Sequence, residues 1–123
     1  MGKDRVKKVS DDLDIHVEEQ AQGIVVRLKG TAGIAGAQSL DRALTMLLAK
    51  RPRLVVMDLS EVQAMASLAM GQLVAAQRAI VRAGGKMRIA AVQPMVMGSL
   101  THARLDTVFH FFPSVADALA MAV

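Results

Sequence analysis

The chain has 123 residues, a length that fits one domain with a core of its own. Hydrophobic residues make up 53% of it, which excludes a disordered chain, and aromatic residues only 2%, which predicts an aliphatic core. The formal net charge is +4, but no aromatic side chains interleave with the basic ones. Because a platform for stacking bases is missing, we predict no nucleic-acid partner.

Residue content excludes several other features. The sequence has no cysteine, which excludes disulfides and thiol chemistry. No apolar run reaches the length of about 20 residues that spans a bilayer. Residues 1–12 lack the apolar centre of a signal peptide, so we expect a cytoplasmic location. His16, His102 and His110 fall on separate predicted elements, which predicts no metal site. The glycines of Gly30–Gly36 fit neither a phosphate-loop nor a dinucleotide fingerprint, so no cofactor is predicted.

The first third of the chain predicts a flexible lead, a hairpin and a loop. Residues 1–12 are polar and charged and are predicted to be a flexible N-terminal segment, which we call the lead. Leu13–Val17 alternates apolar and polar residues, the period of a half-buried strand. Gly23 allows a turn into a second strand, Ile24–Leu28, and Gly30–Gly36 then reads as a loop.

The middle of the chain predicts a helix, a buried strand and a second helix. Leucines recur at helical spacing from Ala37 until Pro52 ends the first helix. The unbroken apolar run in Arg53–Leu59 indicates a strand covered on both faces. Ser60–Ala66 is interpreted as a short connection, and Ser67–Ala83 as the second helix.

The last third adds two strands and two short helices. Lys86–Val92 predicts a strand, Pro94 opens a helix over Met95–His102, and Val108–Phe112 predicts the last strand. Ser114, three residues before Asp117, resembles the capping box of a final helix. The alternating order predicts a single α/β domain over 13–123, with a mostly parallel mixed sheet of about five strands and about four helices.

The segment Arg53–Gly85 carries a recognisable pattern, RLVVMDLSEVQAMASLAMGQLVAAQRAIVRAGG. A buried strand ends in Asp58-Leu59-Ser60, a turn containing Ser67 opens a helix, and the pair Gly84–Gly85 closes it. This order resembles the STAS domain family, the fold of bacterial anti-sigma-factor antagonists. Further similarity over residues 30–37, 100–109 and 112–119 extends the resemblance along most of the chain.

The resemblance assigns site residues around the start of the second helix. Ser67 falls on the family's phosphorylated serine, and Met70 and Gly71 fall on the Leu-Gly that follows it. The family's acidic residue before that serine is Ala66 here, and its acidic residue in the loop before the first helix is Gly33. The resemblance therefore implies a partner-binding site whose residues are Gly33, Ala66, Ser67, Leu68, Met70 and Gly71.

The residues themselves leave two interpretations of Ser67 open. A serine at a predicted helix start is an ordinary N-cap, whose oxygen accepts a backbone N–H. The same position tolerates a phosphate, because a helix start offers unpaired N–H groups and a partial positive charge. The predicted loop Gln63–Ala69 is unusually apolar for an exposed segment, which suggests a docking surface.

Asp58 follows an apolar strand, where sites of open α/β sheets collect. We interpret it as a structural residue that accepts backbone N–H groups of Ser60–Gln63 in a turn, in preference to an acid or base of an enzyme. No serine, histidine and aspartate set can be assembled into a catalytic triad from the sequence.

These observations predict a non-catalytic regulatory binding module rather than an enzyme. The family resemblance implies an anti-sigma-factor antagonist that binds an anti-sigma factor or serine kinase and is switched by phosphorylation of Ser67. An alternative is a STAS subunit of a membrane lipid-transport complex, with an ABC-type permease and ATPase as partners. A nucleotide-binding or enzymatic α/β domain is the third interpretation.

Overall fold

A computed structural model describes residues 13–120, so the predicted lead over 1–12 lies outside the described residues. Five strands and four helices alternate after an initial hairpin. Their bounds are β1 Leu13–Glu19, β2 Ile24–Ala32, α1 Ile34–Leu48, β3 Leu54–Met65, α2 Ser67–Arg82, β4 Lys86–Ala90, α3 Pro94–His102, β5 His110–Phe112 and α4 Val115–Ala120. The predicted class, a single α/β domain with a mixed sheet of five strands and four helices, is confirmed.

The sheet has the strand order β1-β2-β3-β4-β5. β1 pairs antiparallel with β2 through the predicted hairpin, and the other neighbours are parallel. In the hairpin, Gln20 and Gly23 exchange backbone hydrogen bonds of 2.9 and 3.2 Å. The hairpin supplies the one antiparallel pair, and the crossover helices supply the parallel ones.

Alternation along β3 separates the core into two layers. Val55, Met57 and Leu59 point to the face covered by α1, α2 and α3, while Leu54 and Val56 point to the face where α4 contributes Ala118. All five of these β3 side chains are fully buried. This arrangement explains the unbroken apolar run, because a strand covered on both faces buries every side chain.

Two predicted connections are wrong. Gly30–Ala32 was predicted as loop but belongs to β2, so that α1 begins at Ile34 and not at Ala37. Ser60–Ala66 was predicted as a connection, but residues up to Met65 continue β3. The physical reason is that these two segments pair with each other, up to Ala32 opposite Met65, and satisfy one another's main-chain groups.

Local chemistry explains where α2 ends and where α4 begins. Gly84 has a φ of +92°, the left-handed conformation that commonly closes a helix, and it follows Ala83, the C-cap of α2. Gly85 has a steric role, since an added Cβ would lie 2.4 Å from the Pro52 carbonyl oxygen. The Ser114 hydroxyl accepts the Asp117 N–H at 3.1 Å, which confirms the predicted cap of α4.

Candidate functional site

The pair formed by β2 and β3 projects beyond the rest of the parallel sheet. Pairing between β3 and β4 stops at Asp58 opposite Ala90, whereas pairing between β2 and β3 continues to Ala32 opposite Met65. Gly33 alone separates β2 from α1, and Ala66 alone separates β3 from α2. The Ala66 N–H donates to the Ala32 carbonyl oxygen at 2.9 Å. The starts of α1 and α2 are therefore held side by side at this end of the sheet.

These two helix starts form a surface that we call the helix-start face. It consists of Gly33, Ile34, Ala66, Ser67, Leu68 and Gly71. Ile34 is 68% exposed and Leu68 is 51% exposed, large fractions for such apolar side chains. No charged residue occurs between Lys29 and Asp41 or between Glu61 and Arg78. The face is therefore apolar and carries no formal charge of its own.

Ser67 lies in the middle of this face but does not cap its helix. Ala66 is the N-cap of α2, with an extended backbone and no side-chain hydrogen bond, and Ser67 is the first helical residue. The interpretation of Ser67 as an N-cap is therefore wrong. The strand ends at Met65, and the Ala66 N–H donates to the Ala32 carbonyl oxygen, so the chain enters the helix one residue earlier than that interpretation requires.

The surroundings of Ser67 can accept added negative charge. Its side chain is exposed, and the first turn of α2 contains no acidic residue. The N–H groups of Ser67 and Leu68 belong to the first turn, where an α-helix offers no internal acceptor. A phosphate on the Ser67 hydroxyl would therefore meet unpaired N–H groups and the positive end of the helix dipole.

Part of the predicted apolar loop is buried. Met65, Ala69 and Met70 belong to the main core cluster, and Met70 is only 7% exposed. Met70 was predicted to contact the partner, but its side chain faces inward. The spacing of α2 explains this, since Ala69, Met70 and Leu73 share the stripe that packs on the sheet. Met70 therefore packs in the core beneath the helix-start face.

Gly71 is exposed in the second turn of α2, and the fold gives no reason for a glycine there. A Cβ built on it meets no atom within 4 Å, and its φ is not in the left-handed region. Glycine inside a helix costs about 1 kcal/mol relative to alanine. Glycine at this position therefore lowers the stability of the helix and leaves its backbone open to approach from outside the fold.

Ile34 was missed by the sequence analysis. Its segment was predicted as a glycine-rich loop, so no side chain in it stood out. The signal was the triplet Gly33-Ile34-Ala35, in which one large apolar residue lies between small ones at the end of a strand. Met95 is a second omission, 72% exposed in the first turn of α3.

Asp58 contacts the backbone of its own strand and a side chain of β2, and not a turn. Its Oδ1 accepts the Ser60 N–H at 3.0 Å, and its Oδ2 lies 3.4 Å from Nε of Arg27. The register between β2 and β3 shifts at this point, because Arg27 is opposite Asp58 but Lys29 is opposite Glu61. Asp58 thus satisfies a backbone N–H at a bulge inside β3, where the ladder is interrupted.

Neighbouring groups hold the same bulge. The Gln93 side chain, just before α3, donates to the Ser60 carbonyl oxygen at 2.6 Å. Arg27 also donates to Glu18, and this hydrogen bond keeps the pKa of the Glu18 carboxyl below its ordinary value. The N–H and the carbonyl of Ser60 are therefore both hydrogen-bonded to side chains at the point where β3 continues past the end of β4.

Residues 13–120 hold neither a cluster of metal-binding side chains nor a membrane-spanning helix. No group of three or more histidine, aspartate or glutamate side chains there is arranged to hold a metal ion. Within the same residues, no helix combines the length and apolar character needed to cross a membrane.

Comparison with known proteins identifies the family of this fold. The family model of the STAS domain matches residues 14–118. This match covers most of the chain, and the chain belongs to the STAS domain family. No curated protein sequence matches it.

Solved structures of anti-sigma-factor antagonists are similar to this chain. An anti-sigma factor antagonist from Mycobacterium paratuberculosis is 26% identical, with a TM-score of 0.82, covering 92% of this chain and 96% of that one. An anti-sigma-factor antagonist domain protein from Planctomyces limnophilus is 20% identical, with a TM-score of 0.75, covering 85% and 94%. The Bacillus cell fate determinant SpoIIAA, in its phosphorylated form, is 11% identical, with a TM-score of 0.66, covering 85% and 96%. The last two structures, with identities of 20% and 11%, share the fold of this chain.

We predict that Asp58→Ala lowers the free energy of unfolding by about 1–3 kcal/mol, because the Ser60 N–H loses its acceptor and Arg27 loses an ion-pair partner. Asp58→Asn keeps an acceptor oxygen and should lose less. Urea unfolding followed by far-UV circular dichroism measures both changes. An Asp58→Ala variant as stable as the wild type would contradict the structural role.

Proposed function

We propose that this protein is a non-catalytic anti-sigma-factor antagonist, which binds an anti-sigma factor of the serine-kinase type through the helix-start face. Binding would free the sigma factor that the partner otherwise holds. The observation that carries the proposal is the exposed, uncharged surface around Ile34, Ser67 and Leu68. The similarity of this chain to a 26% identical anti-sigma factor antagonist, over 92% of this chain, supports the same kind of partner.

The chemistry of the face indicates how it would bind. Fully burying a leucine or isoleucine side chain contributes about 1.5–3 kcal/mol, so Ile34 and Leu68 are suited to act as anchors. A charged partner surface would find no ion pair on this face and would lose its hydration. We therefore expect the complementary surface of the partner to be apolar at its centre.

Gly71 supports contact with a partner at the same face. An exposed helical glycine that meets nothing within the fold allows another backbone or a bulky side chain to approach the helix closely. It lies one helical turn beyond Ser67, so both would be covered by one partner.

Phosphorylation of Ser67 is the proposed switch. It would add a charge of about −2 to the centre of a face that has none. The start of α2 tolerates the phosphate, but an apolar partner surface does not, because the phosphate must be desolvated there. The fold would remain intact while binding is lost. A phosphorylated form of the similarly folded SpoIIAA is consistent with this.

The second candidate function is a STAS subunit of an ABC-type lipid-transport complex. The specific observation that favours it is the presence of Ala66 and Gly33 where the family carries acidic residues. Those acidic residues are associated with the partner kinase, and a subunit that binds a permease or ATPase does not need them. The helix-start face would then be a permanent contact.

Affinity co-purification followed by mass spectrometry separates the two functions, and Leu68→Asp tests the face. We expect an anti-sigma factor or serine kinase to be captured by the wild type and lost with Leu68→Asp, because a buried aspartate has no counter-charge there. Capture of a permease or ATPase would support the transport subunit instead.

Val81→Asp is the matched control, since Val81 is 56% exposed near the other end of the same helix. It should leave capture unchanged. Circular dichroism verifies that both variants are folded. Equal capture by wild type and Leu68→Asp would refute the assigned face.

Substitution of Gly71 tests the close approach of a partner. We predict that Gly71→Ala raises the free energy of unfolding by about 1 kcal/mol, and that Gly71→Leu weakens binding of the captured partner at least about tenfold through steric overlap. Calorimetry with the purified partner measures the second effect.

Gly98 provides the control for this pair, because it is also an exposed helical glycine with open space around it, but in α3. Gly98→Leu should leave the affinity unchanged. If Gly71→Leu bound as tightly as the wild type, the partner would not cover this turn of α2.

Phosphorylation is tested by intact-mass spectrometry after incubation with the captured kinase and ATP. We predict one added phosphate on the wild type, none on Ser67→Ala, and loss of partner binding by the phosphorylated form because of the added charge. Absence of phosphate on the wild type would exclude the switch while leaving the docking face to be judged from Leu68.

A further inference from the structure

A strongly charged surface lies at the end of the sheet opposite the helix-start face. It is formed where α1 and α2 end, where β3 and β4 begin, and where the chain leads from α3 into β5. We call this surface the basic end. Its charged side chains are the cations Lys50, Arg51, Arg53, Arg82, Lys86 and Arg104 and the carboxylates Glu19 and Asp106.

The basic end accounts for the net positive charge of the chain. Six cations and two carboxylates give it a net charge of +4, which equals the formal net charge of the full sequence. The other residues of the described part, 13–120, carry five cations and six carboxylates. The positive charge of this protein is therefore concentrated at one end and is not spread over its surface.

The cations of the basic end are neighbours in space. The backbone N–H of Lys86 donates to the Arg53 carbonyl oxygen at 2.9 Å, so the starts of β3 and β4 are adjacent. Arg51 lines a shallow cavity together with Ala83 at the end of α2, and Lys50 and Arg53 line the neighbouring one. Because adjacent strands lie about 4.8 Å apart and packed helices about 8–10 Å apart, the cations cover a surface roughly 10–15 Å wide.

Five of the six cations have no side-chain partner within the described chain. Lys50 is the exception, because it pairs with Glu19. The other five side chains are exposed and make no ion pair or hydrogen bond with any residue of 13–120; they are Arg51, Arg53, Arg82, Lys86 and Arg104. The fold thus leaves these charges available to a surface outside the molecule.

Two of the arginines stand where the backbone favours glycine. Arg51 follows α1 with a φ of +50°, and Arg104 follows α3 with a φ of +63°, both in the left-handed region. Glycine or asparagine is usual where a helix ends in this conformation, because a side chain strains it. The Arg51 N–H donates to the Leu48 carbonyl oxygen at 3.0 Å, a bond that glycine would make equally well. The fold therefore gives no reason for an arginine side chain there.

From this concentration of unpaired charge we propose that the basic end binds the surface of an anionic lipid bilayer. Clusters of about four to eight Lys or Arg residues are typical of segments that recognise anionic lipids, and each cation near the surface strengthens binding about fivefold. A bilayer is flat, so it contacts cations from several separate element ends at once. Their long aliphatic stems let the charges reach the headgroups while the main chain stays above them.

Bilayer binding leaves the helix-start face accessible. The helix α2 separates the two surfaces and has 16 residues, or about 24 Å at 1.5 Å per residue. A molecule bound through the basic end therefore presents Ser67 and Leu68 away from the membrane, and a protein partner can bind at the same time. Lipid binding does not depend on which partner that is.

Co-sedimentation of the full-length protein with two kinds of vesicle tests the proposal. One kind is phosphatidylcholine alone, and the other contains about one-third phosphatidylglycerol, an anionic lipid. We expect binding to the anionic vesicles only, and at least about tenfold weaker binding when salt is raised from about 0.1 M to about 0.5 M, because the charges are screened. Equal binding to both kinds of vesicle, or binding to neither, would overturn the proposal.

Matched double variants locate the lipid-binding surface. Arg51→Gln with Arg53→Gln should weaken binding to anionic vesicles about twentyfold. Lys29→Gln with Arg42→Gln removes the same charge from exposed positions elsewhere and should weaken it less than about threefold. Circular dichroism verifies the fold of both. An equal loss in the two variants would assign the attraction to the net charge of the whole chain, and the basic end would not be the site.

Arg51→Gly separates lipid binding from a structural role of this arginine. Glycine adopts a φ of +50° without strain, so the free energy of unfolding should stay the same or rise. Binding to anionic vesicles should nevertheless fall about fivefold, because one cation is lost. Undiminished binding by this variant would contradict the assignment of Arg51 to the lipid surface.

Other polyanions are the competing occupants of the basic end. Duplex DNA and poly-glutamate, at the same concentration of negative charge and the same salt, should bind more weakly than the anionic vesicles, because neither offers a flat surface to all the element ends. Tighter binding of DNA would reassign the basic end to a nucleic acid, and tighter binding of poly-glutamate would reassign it to an acidic protein. Either result would overturn the proposal.

Discussion

The parallel pairing of β2 with β3 beyond the end of β4 is the constraint on which the candidate site depends. It carries Ala32 and Met65 to the same level, and the helices begin within two residues of that point. One residue connects each strand to its helix, and the first large apolar side chain of each helix, Ile34 in α1 and Leu68 in α2, is exposed at this end of the sheet.

The bulge at Ser60 makes this extension compatible with a buried core. A regular strand alternates strictly, whereas a bulge inserts one residue and lets Leu59 and Val62 pack in the same cluster three positions apart. Two side chains, Asp58 and Gln93, hydrogen-bond to the N–H and the carbonyl of Ser60. These two polar side chains thus fix the main chain of Ser60 at the bulge from which β3 continues to Met65.

The sequence predicts the elements whose patterns are local, and it misses those that depend on pairing at a distance. The apolar run of β3, the leucine stripe of α1 and the glycines after α2 each follow from neighbouring residues. The strand over residues 60–65 does not, because the bulge breaks the two-residue period. At the site, Ser67 and Leu68 could be found from the family pattern. The same pattern assigned Met70 to the partner surface, although the local spacing of α2 places Met70 on the buried stripe with Ala69 and Leu73.

The two ends of α2 have opposite chemistry, and their separation limits how each can act. The start is uncharged, and the end is followed by the cations Lys86 and Arg88 at the beginning of β4. A phosphate on Ser67 would lie about 20 Å from those cations by helix length, about twice the screening length of about 8–10 Å at ordinary ionic strength. Their attraction cannot neutralise it. A switch at Ser67 must therefore act directly, through the desolvation of its own charge against whatever covers Leu68.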